Sequence, residues 1–175
     1  MVSLLLLITK NCGKKIKLIM LNTNTKAPIF KLDSTNGKIY SLKNSIGKYV
    51  VLYFYPKDDT PGCTIETNDF NKLLSKFEKL DCEIYGISKD NLKSHNKFRD
   101  KYNIKFDLLA DEEIKVLKKY KVWGKKKFMG REFMGIIRTT ILIDKKGKII
   151  KIWDNVRVKD HAKEVLETLK EITKK

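Results

Sequence analysis

Histidine is nearly missing from this sequence: His95 and His161 are the only two in 175 residues. Cysteine occurs three times, at Cys12, Cys63 and Cys82, and never as a C-x-x-C pair. That scarcity excludes a disulfide framework, a zinc finger and a local dithiol exchange site. No metal and no bound cofactor are expected. The usage fits a reducing compartment, and a cytoplasmic location is expected, where a cysteine matters through its reactivity.

Long apolar runs are also lacking. Val2–Ile8 is too short to span a bilayer, has no basic stretch before it and no small-residue cleavage site behind it. Residues 1–19 read as a poorly ordered tail or as translated leader ahead of a start at Met20, with a signal peptide as the other reading. No membrane association is expected. Repeats, low-complexity linkers and a second domain are absent from the pattern, so residues 20–175 read as one domain with a real core.

Acidic residues are few, 21 against 38 basic ones, for a formal charge of +17. Only four of the basic residues are arginines, Arg99, Arg131, Arg138 and Arg157, and the lysines are spread along nearly the whole chain. This reads as a lysine-rich solvated surface and not as a specific nucleic-acid site. Salt-sensitive adhesion to polyanions is still expected on charge alone.

What is present alternates between strand and helix. Ile29–Leu32 and Ile39–Leu42 flank Asn36-Gly37, a hairpin signal. Tyr49–Tyr55 (YVVLYFY) is a continuous β-branched and aromatic run, the mark of a strand buried on both faces. Phe70, Leu73, Leu74 and Phe77 recur at helical spacing and predict a helix over 64–79. A strand at 83–88, a helix at 91–102, a short strand at 106–109 and a helix near 113–120 follow. Residues 139–143 and 148–153 form a hairpin, and a final helix starts near Asp160 with Ala162, Val165, Leu166 and Leu169 inward. The order implies an α/β protein with a mixed central sheet flanked by helices. A thioredoxin-like fold suits it, although periodicity admits other α/β folds.

The segment Pro56-Lys57-Asp58-Asp59-Thr60-Pro61-Gly62-Cys63 lies between the most buried strand and an amphipathic helix. Functional residues gather at this carboxyl edge of a sheet. Cys63 falls in the first turn of the helix, where free N–H groups and the positive dipole end favour a thiolate. A buried structural cysteine suits the spot poorly, because Thr60, Pro61 and Gly62 mark a turn. Both histidines fall on helices that read as surface, which argues against a Cys–His pair.

Pro56-x-x-x-Thr60-x-x-Cys63 resembles the peroxiredoxin active-site motif, and YFYPKDDTPGCT is similar to the peroxiredoxin Q, or bacterioferritin comigratory protein, branch. The likeness continues through Ala27-Pro28-Ile29-Phe30, Gly86-Ile87-Ser88-Lys89-Asp90, Trp123-Gly124 and Arg138-Thr139-Thr140-Ile141-Leu142-Ile143-Asp144, most of the chain in order. The resemblance implies a thioredoxin-like fold and a thiol peroxidase acting on hydrogen peroxide and organic hydroperoxides. It implies that Cys63 attacks the O–O bond and becomes a sulfenic acid. Thr60 would hydrogen-bond peroxide and thiolate, Pro56 would shield the pocket from water, and Arg138 would bring positive charge. Glu66 is a further candidate, to orient Arg138 or to complement the helix dipole. A thioredoxin, a glutaredoxin or a small thiol would be the reductant, and a monomer is implied. The other reading of the chain is a polyanion-binding thioredoxin-like protein without peroxidase activity, for which an intact Pro56, Thr60, Cys63 and Arg138 set has no use.

Ionisation alone does not make a fast peroxidase. A thiol with pKa about 8.5 is roughly 3% ionised at neutral pH, so complete ionisation gains about thirtyfold. The remainder has to come from stabilising the departing oxygen and aligning the O–O bond.

Members of this branch often carry a resolving cysteine five residues after the peroxidatic one, where this chain has Asn68, or at a position matched by Phe98-Arg99. Cys82 follows a helix of some sixteen residues that rises ~24 Å, whereas a disulfide needs Cα atoms within about 7 Å. Cys12 belongs to the N-terminal tail. The expectation is a one-cysteine enzyme reduced by an external thiol.

Overall fold

The structure is a computed structural model, and residues 21–174 are described. The expected tail at 1–19, with Cys12, lies outside the described residues.

The first hairpin pairs β1 (Lys31–Ser34) with β2 (Ile39–Ser41), Leu32 opposite Tyr40. Its turn needs a residue with positive φ, and Gly37 (φ 80°) supplies it. The YVVLYF run forms β3 (Tyr49–Phe54), followed by α1 (Pro61–Glu78) and β4 (Cys82–Ser88). Next come α2 (Leu92–Tyr102), β5 (Leu108–Ala110) and α3 (Lys115–Lys119). A hairpin of β6 (Trp123–Phe128) and β7 (Arg131–Ile136) precedes β8 (Thr139–Ile143), β9 (Ile149–Trp153) and α4 (His161–Thr173).

Seven strands form one mixed sheet in the order β2-β1-β5-β4-β3-β8-β9, and β6-β7 stands apart as a two-stranded ribbon. Strands β3, β4 and β5 run parallel, and β8 runs antiparallel to β3 with Phe54 opposite Thr139. The last residues of β3 and the first of β8 therefore meet at one edge, which brings residues 55–63 and Arg138 together.

The central position of β3 explains its composition. Val50, Leu52 and Phe54 enter the core on one face, with Leu109, Leu117, Tyr120 and Ile141. Val51, Tyr53 and Tyr55 enter the core on the other, beneath α1 and α4, with Phe70, Phe77, Val165 and Leu169. A strand covered on both faces has no reason to alternate with polar residues.

Three expectations are corrected. Helix α1 begins at Pro61 and not at Thr64, because Pro suits a first helical position that needs no donor. The β6–β7 hairpin was not expected: its Gly-Lys-Lys-Lys-Phe sequence carries no strand-like alternation of apolar residues. Both histidines are buried, although their helices read as surface. Among the described residues, no helix is long and apolar enough to cross a membrane.

Candidate active site

Residues 55–60 leave the carboxyl end of β3 and are held by the next crossover. The Asp58 carboxylate is buried and accepts from Tyr55 Oη (2.7 Å) and Ser94 Oγ (2.7 Å), and lies 2.9 Å from His95 Nδ1. His95 Nε2 faces the Leu109 carbonyl at 3.2 Å, so both ring nitrogens point at oxygens. The Asp58 backbone N–H donates to Asp90 Oδ2 (2.8 Å), which also accepts from Ser88 Oγ (2.8 Å). Asp59, in the left-handed region at φ 54°, takes bonds from Lys101 Nζ (2.7 Å) and Tyr102 Oη (2.6 Å). Burial alone would raise the Asp58 carboxyl, but the bonds from His95, Tyr55 and Ser94 outweigh it and hold it below the ordinary carboxylate range. These bonds tie the loop to β4, α2 and β5. Sequence reasoning missed this brace, because its members come together only through the parallel crossover.

Thr60 then caps α1 in extended conformation (φ −97°, ψ 152°), its carbonyl accepting from Thr64 N at 2.8 Å and its hydroxyl donating to Lys57 O at 3.0 Å. That hydroxyl keeps its lone pairs for another donor. Cys63 is the third helical residue and is 1% exposed. It therefore sits within the first turn, whose backbone N–H groups lack helical partners.

Arg138, immediately before β8, donates from Nη2 to Cys63 Sγ at 3.2 Å. Its Nη1 donates to Glu66 Oε2. The guanidinium lies over the start of α1, where an atom added at Gly62 Cα would meet Nη2 at 3.4 Å. Burial by itself would lower Arg138, but Glu66 and Cys63 raise it above its ordinary value, so it stays a cation against the sulfur. Glu66 is the sixth helical residue, one turn past Cys63, and is buried. Its position suits orienting Arg138 better than complementing the dipole. Burial raises Glu66 to about 7 despite the pull of Arg138, and its Oε1 has no hydrogen-bond partner among the described residues.

Pro56 shares a depression of about 440 Å3 with Lys125, Lys126, Lys127 and Arg138. The four residues singled out from sequence, Pro56, Thr60, Cys63 and Arg138, thus stand at one sheet edge.

Cys82 is elsewhere. It opens β4 opposite Tyr49, the first residue of β3, while Cys63 follows the far end of β3. Six strand residues separate those ends by roughly 20 Å. Cys82 is a buried thiol that burial pushes far above its ordinary value.

The AhpC/TSA family profile matches residues 23–152. The chain is 49% identical to the peroxiredoxin Bcp of Bacillus subtilis over 150 residues, 86% of this chain and 96% of that one. It is 37% identical to the peroxiredoxin Bcp of Escherichia coli over 145 residues, 83% and 93% of the two chains. Among solved structures it is similar to Xanthomonas campestris peroxiredoxin Q, with TM-score 0.79, 38% identity and coverage of 82% and 91%. It is likewise similar to the bacterioferritin comigratory protein of Xanthomonas campestris, studied for alkyl peroxide reduction, with TM-score 0.81, 34% identity and coverage of 87% and 99%.

Proposed function

The chain belongs to the AhpC/TSA family, among the Bcp peroxiredoxins, and is a thiol-dependent peroxidase; we propose that Cys63 is its peroxidatic residue and that it works as a one-cysteine enzyme.

The observation that carries the assignment is the Arg138 Nη2 contact to Cys63 Sγ at 3.2 Å inside the first turn of α1. The Cys63 thiolate attacks one peroxide oxygen in line with the O–O bond. An S–O bond forms as the O–O bond breaks, and the departing oxygen leaves as water or alcohol once it takes a proton. Cys63 is then a sulfenic acid. Negative charge moves from sulfur to the departing oxygen during the step. Arg138 and the first-turn N–H groups of α1 are the donors positioned to follow it, while the Thr60 hydroxyl, which donates to Lys57 O, has lone pairs to accept the peroxide's own O–H. Glu66 is a positioning residue: it holds one arm of Arg138 and leaves the other for the reacting atoms. Pro56 covers the loop side of the depression and limits access of water.

The substrate is a peroxide, hydrogen peroxide or an organic hydroperoxide such as an alkyl peroxide. Cys82, at the opposite end of β3, is too distant to resolve the sulfenic acid, which supports an external thiol as reductant: a thioredoxin, a glutaredoxin or a small thiol. The enzyme acts as a monomer in a reducing, cytoplasmic setting. Peroxide consumption by the purified protein with dithiothreitol tests the proposal. Turnover that survives Cys63→Ser would overturn it.

A further inference from the structure

On the reading above, the electrons that restore Cys63 come from a second molecule. Its sulfur has to reach bonding distance of a side chain that is 1% exposed. The surface around the site is therefore covered when the donor is in place. One wall of that surface is the β6–β7 hairpin, whose Lys125, Lys126 and Lys127 share the depression with Arg138. Lys126 feels the charge of both Arg138 and Cys63.

What the hairpin displays has no folding explanation. Its turn places Met129 (φ 49°) and Gly130 (φ 77°) in the left-handed region, the two-residue connection for which Asn-Gly or Asp-Gly is preferred. Met129 has neither advantage, and it is 87% exposed, next to Phe128 at 68%. Phe133 and Met134 are about half exposed. Half of the large exposed apolar side chains among the described residues, four of eight, fall between 128 and 134. The root, by contrast, is anchored by Trp123 and buried Ile136 in the core. By register, Lys126 and Arg131 share one face of the ribbon with Phe128 and Phe133, and Lys125 and Lys127 share the other with Met134, against the single acid Glu132.

We propose that the β6–β7 hairpin is the docking element for the protein that reduces Cys63, a dithiol protein whose reactive cysteine lies on an apolar patch edged by carboxylates. The inference rests on Cys63 being a peroxidatic sulfur without an internal partner. An apolar centre with a charged rim is the anatomy of a transient protein interface, and an acidic rim complements four cations. A small thiol uses neither feature. The chemistry balances within the two proteins. A partner thiolate attacks Cys63 Sγ, an S–S bond forms, the S–O bond breaks, and hydroxide leaves to become water. The partner's second thiolate then attacks its own sulfur in the mixed disulfide, releasing the Cys63 thiolate and leaving the partner oxidised by two electrons.

The test compares two reductants on the same oxidised protein: an acidic thioredoxin, regenerated by its reductase and NADPH, and dithiothreitol. Two variants are used, the double variant Phe128→Ser with Met129→Ser, and the single variant Arg131→Glu, whose side chain lies outside the depression that holds Arg138. Each should lower kcat/KM for thioredoxin by about tenfold or more, the size of a lost hot spot. Each should leave dithiothreitol turnover and the rate of oxidation by peroxide unchanged. The charge variant should also flatten the salt dependence of the thioredoxin reaction. Unchanged thioredoxin kinetics in both variants, or equal losses with dithiothreitol, would overturn the docking role. Wild-type protein that turns over with dithiothreitol but not with thioredoxin would overturn the dithiol partner while leaving the peroxidase reading intact. Failure with both would remove the reading on which the inference rests.

Discussion

Arg138 uses two arms of one guanidinium, Nη1 on Glu66 and Nη2 on Cys63. A lysine keeps the charge but has no rigid fork, and it cannot hold a carboxylate and a sulfur in fixed geometry. Arg138→Lys should therefore slow reaction with peroxide by more than about tenfold, consistent with losing one oxyanion donor at about 2–4 kcal/mol. Stopped-flow oxidation measures it, and a wild-type rate constant would reduce Arg138 to surface charge. The same scale separates the two described cysteines. Cys63→Ser should abolish turnover and Cys82→Ser should leave it nearly intact, since Cys82 sits at the other end of β3. Equal losses in a steady-state assay would defeat the assignment. Cys63, Thr60, Pro56 and Arg138 were legible in the sequence because a turn, a helix start and a familiar motif coincide there. His95 was not legible. Its helix, LKSHNKFRDKY, is mostly polar, and His95 is buried only because Tyr55, Asp58 and Leu109 arrive from β3, its loop and β5.

At the scale of elements, α1 and α4 pack side by side and carry two buried titratable groups of opposite tendency. Glu66 on α1 is raised by burial to about 7. His161, at the start of α4, is lowered to about 4, chiefly by burial, and its Nε2 lies 2.8 Å from Thr140 Oγ1. The signs follow from which state binds more protons. Between about 4 and 6.5 the unfolded chain protonates His161 more than the fold does, so its contribution is complete above 6.5 and is lost as pH falls. Between about 4.5 and 7 the fold protonates Glu66 more, so stability falls as pH rises. The two effects oppose each other over the shared window, each on the order of 3 kcal/mol in full. His161→Gln should make stability less sensitive to acid, and Glu66→Gln should make it less sensitive to rising pH. Urea unfolding at pH 4.5, 5.5, 6.5 and 7.5 measures both; parallel pH profiles for wild type and either variant would remove that residue from the account. Strands β3, β8 and β9 and helix α4 were readable because burial imposes period 2, period 3.6 or a continuous apolar run. The β6–β7 ribbon escaped because it covers little core beyond Trp123 and Ile136, and its exposed lysines and aromatics follow no burial period.

At the scale of the whole molecule, the proposed one-cysteine mechanism implies a property of the oxidised protein, since Cys82 is the one other thiol among the described residues. Asn68 and Arg99 occupy the places where relatives of this branch often carry one, and Arg99 Nη1 instead donates to Thr35 O at 2.8 Å. Cys82 is separated from Cys63 by the length of β3, roughly 20 Å. Closing that gap would require α1 or β4 to leave the central sheet, with the loss of a core that includes Tyr53, Phe70 and Phe77. Such a rearrangement amounts to unfolding, whereas oxidation requires only that a peroxide reach Arg138 and Cys63. The sulfenic acid should therefore persist until an external thiol attacks it, and excess peroxide should carry it on to sulfinic acid. In a Cys12→Ser chain treated with one equivalent of peroxide, intact mass should show the gain of one oxygen. Further peroxide should add a second oxygen and end turnover. A loss of two hydrogens instead, with peptides joined through Cys63 and Cys82, would mean that the fold opens on a scale the packing of β3 does not allow.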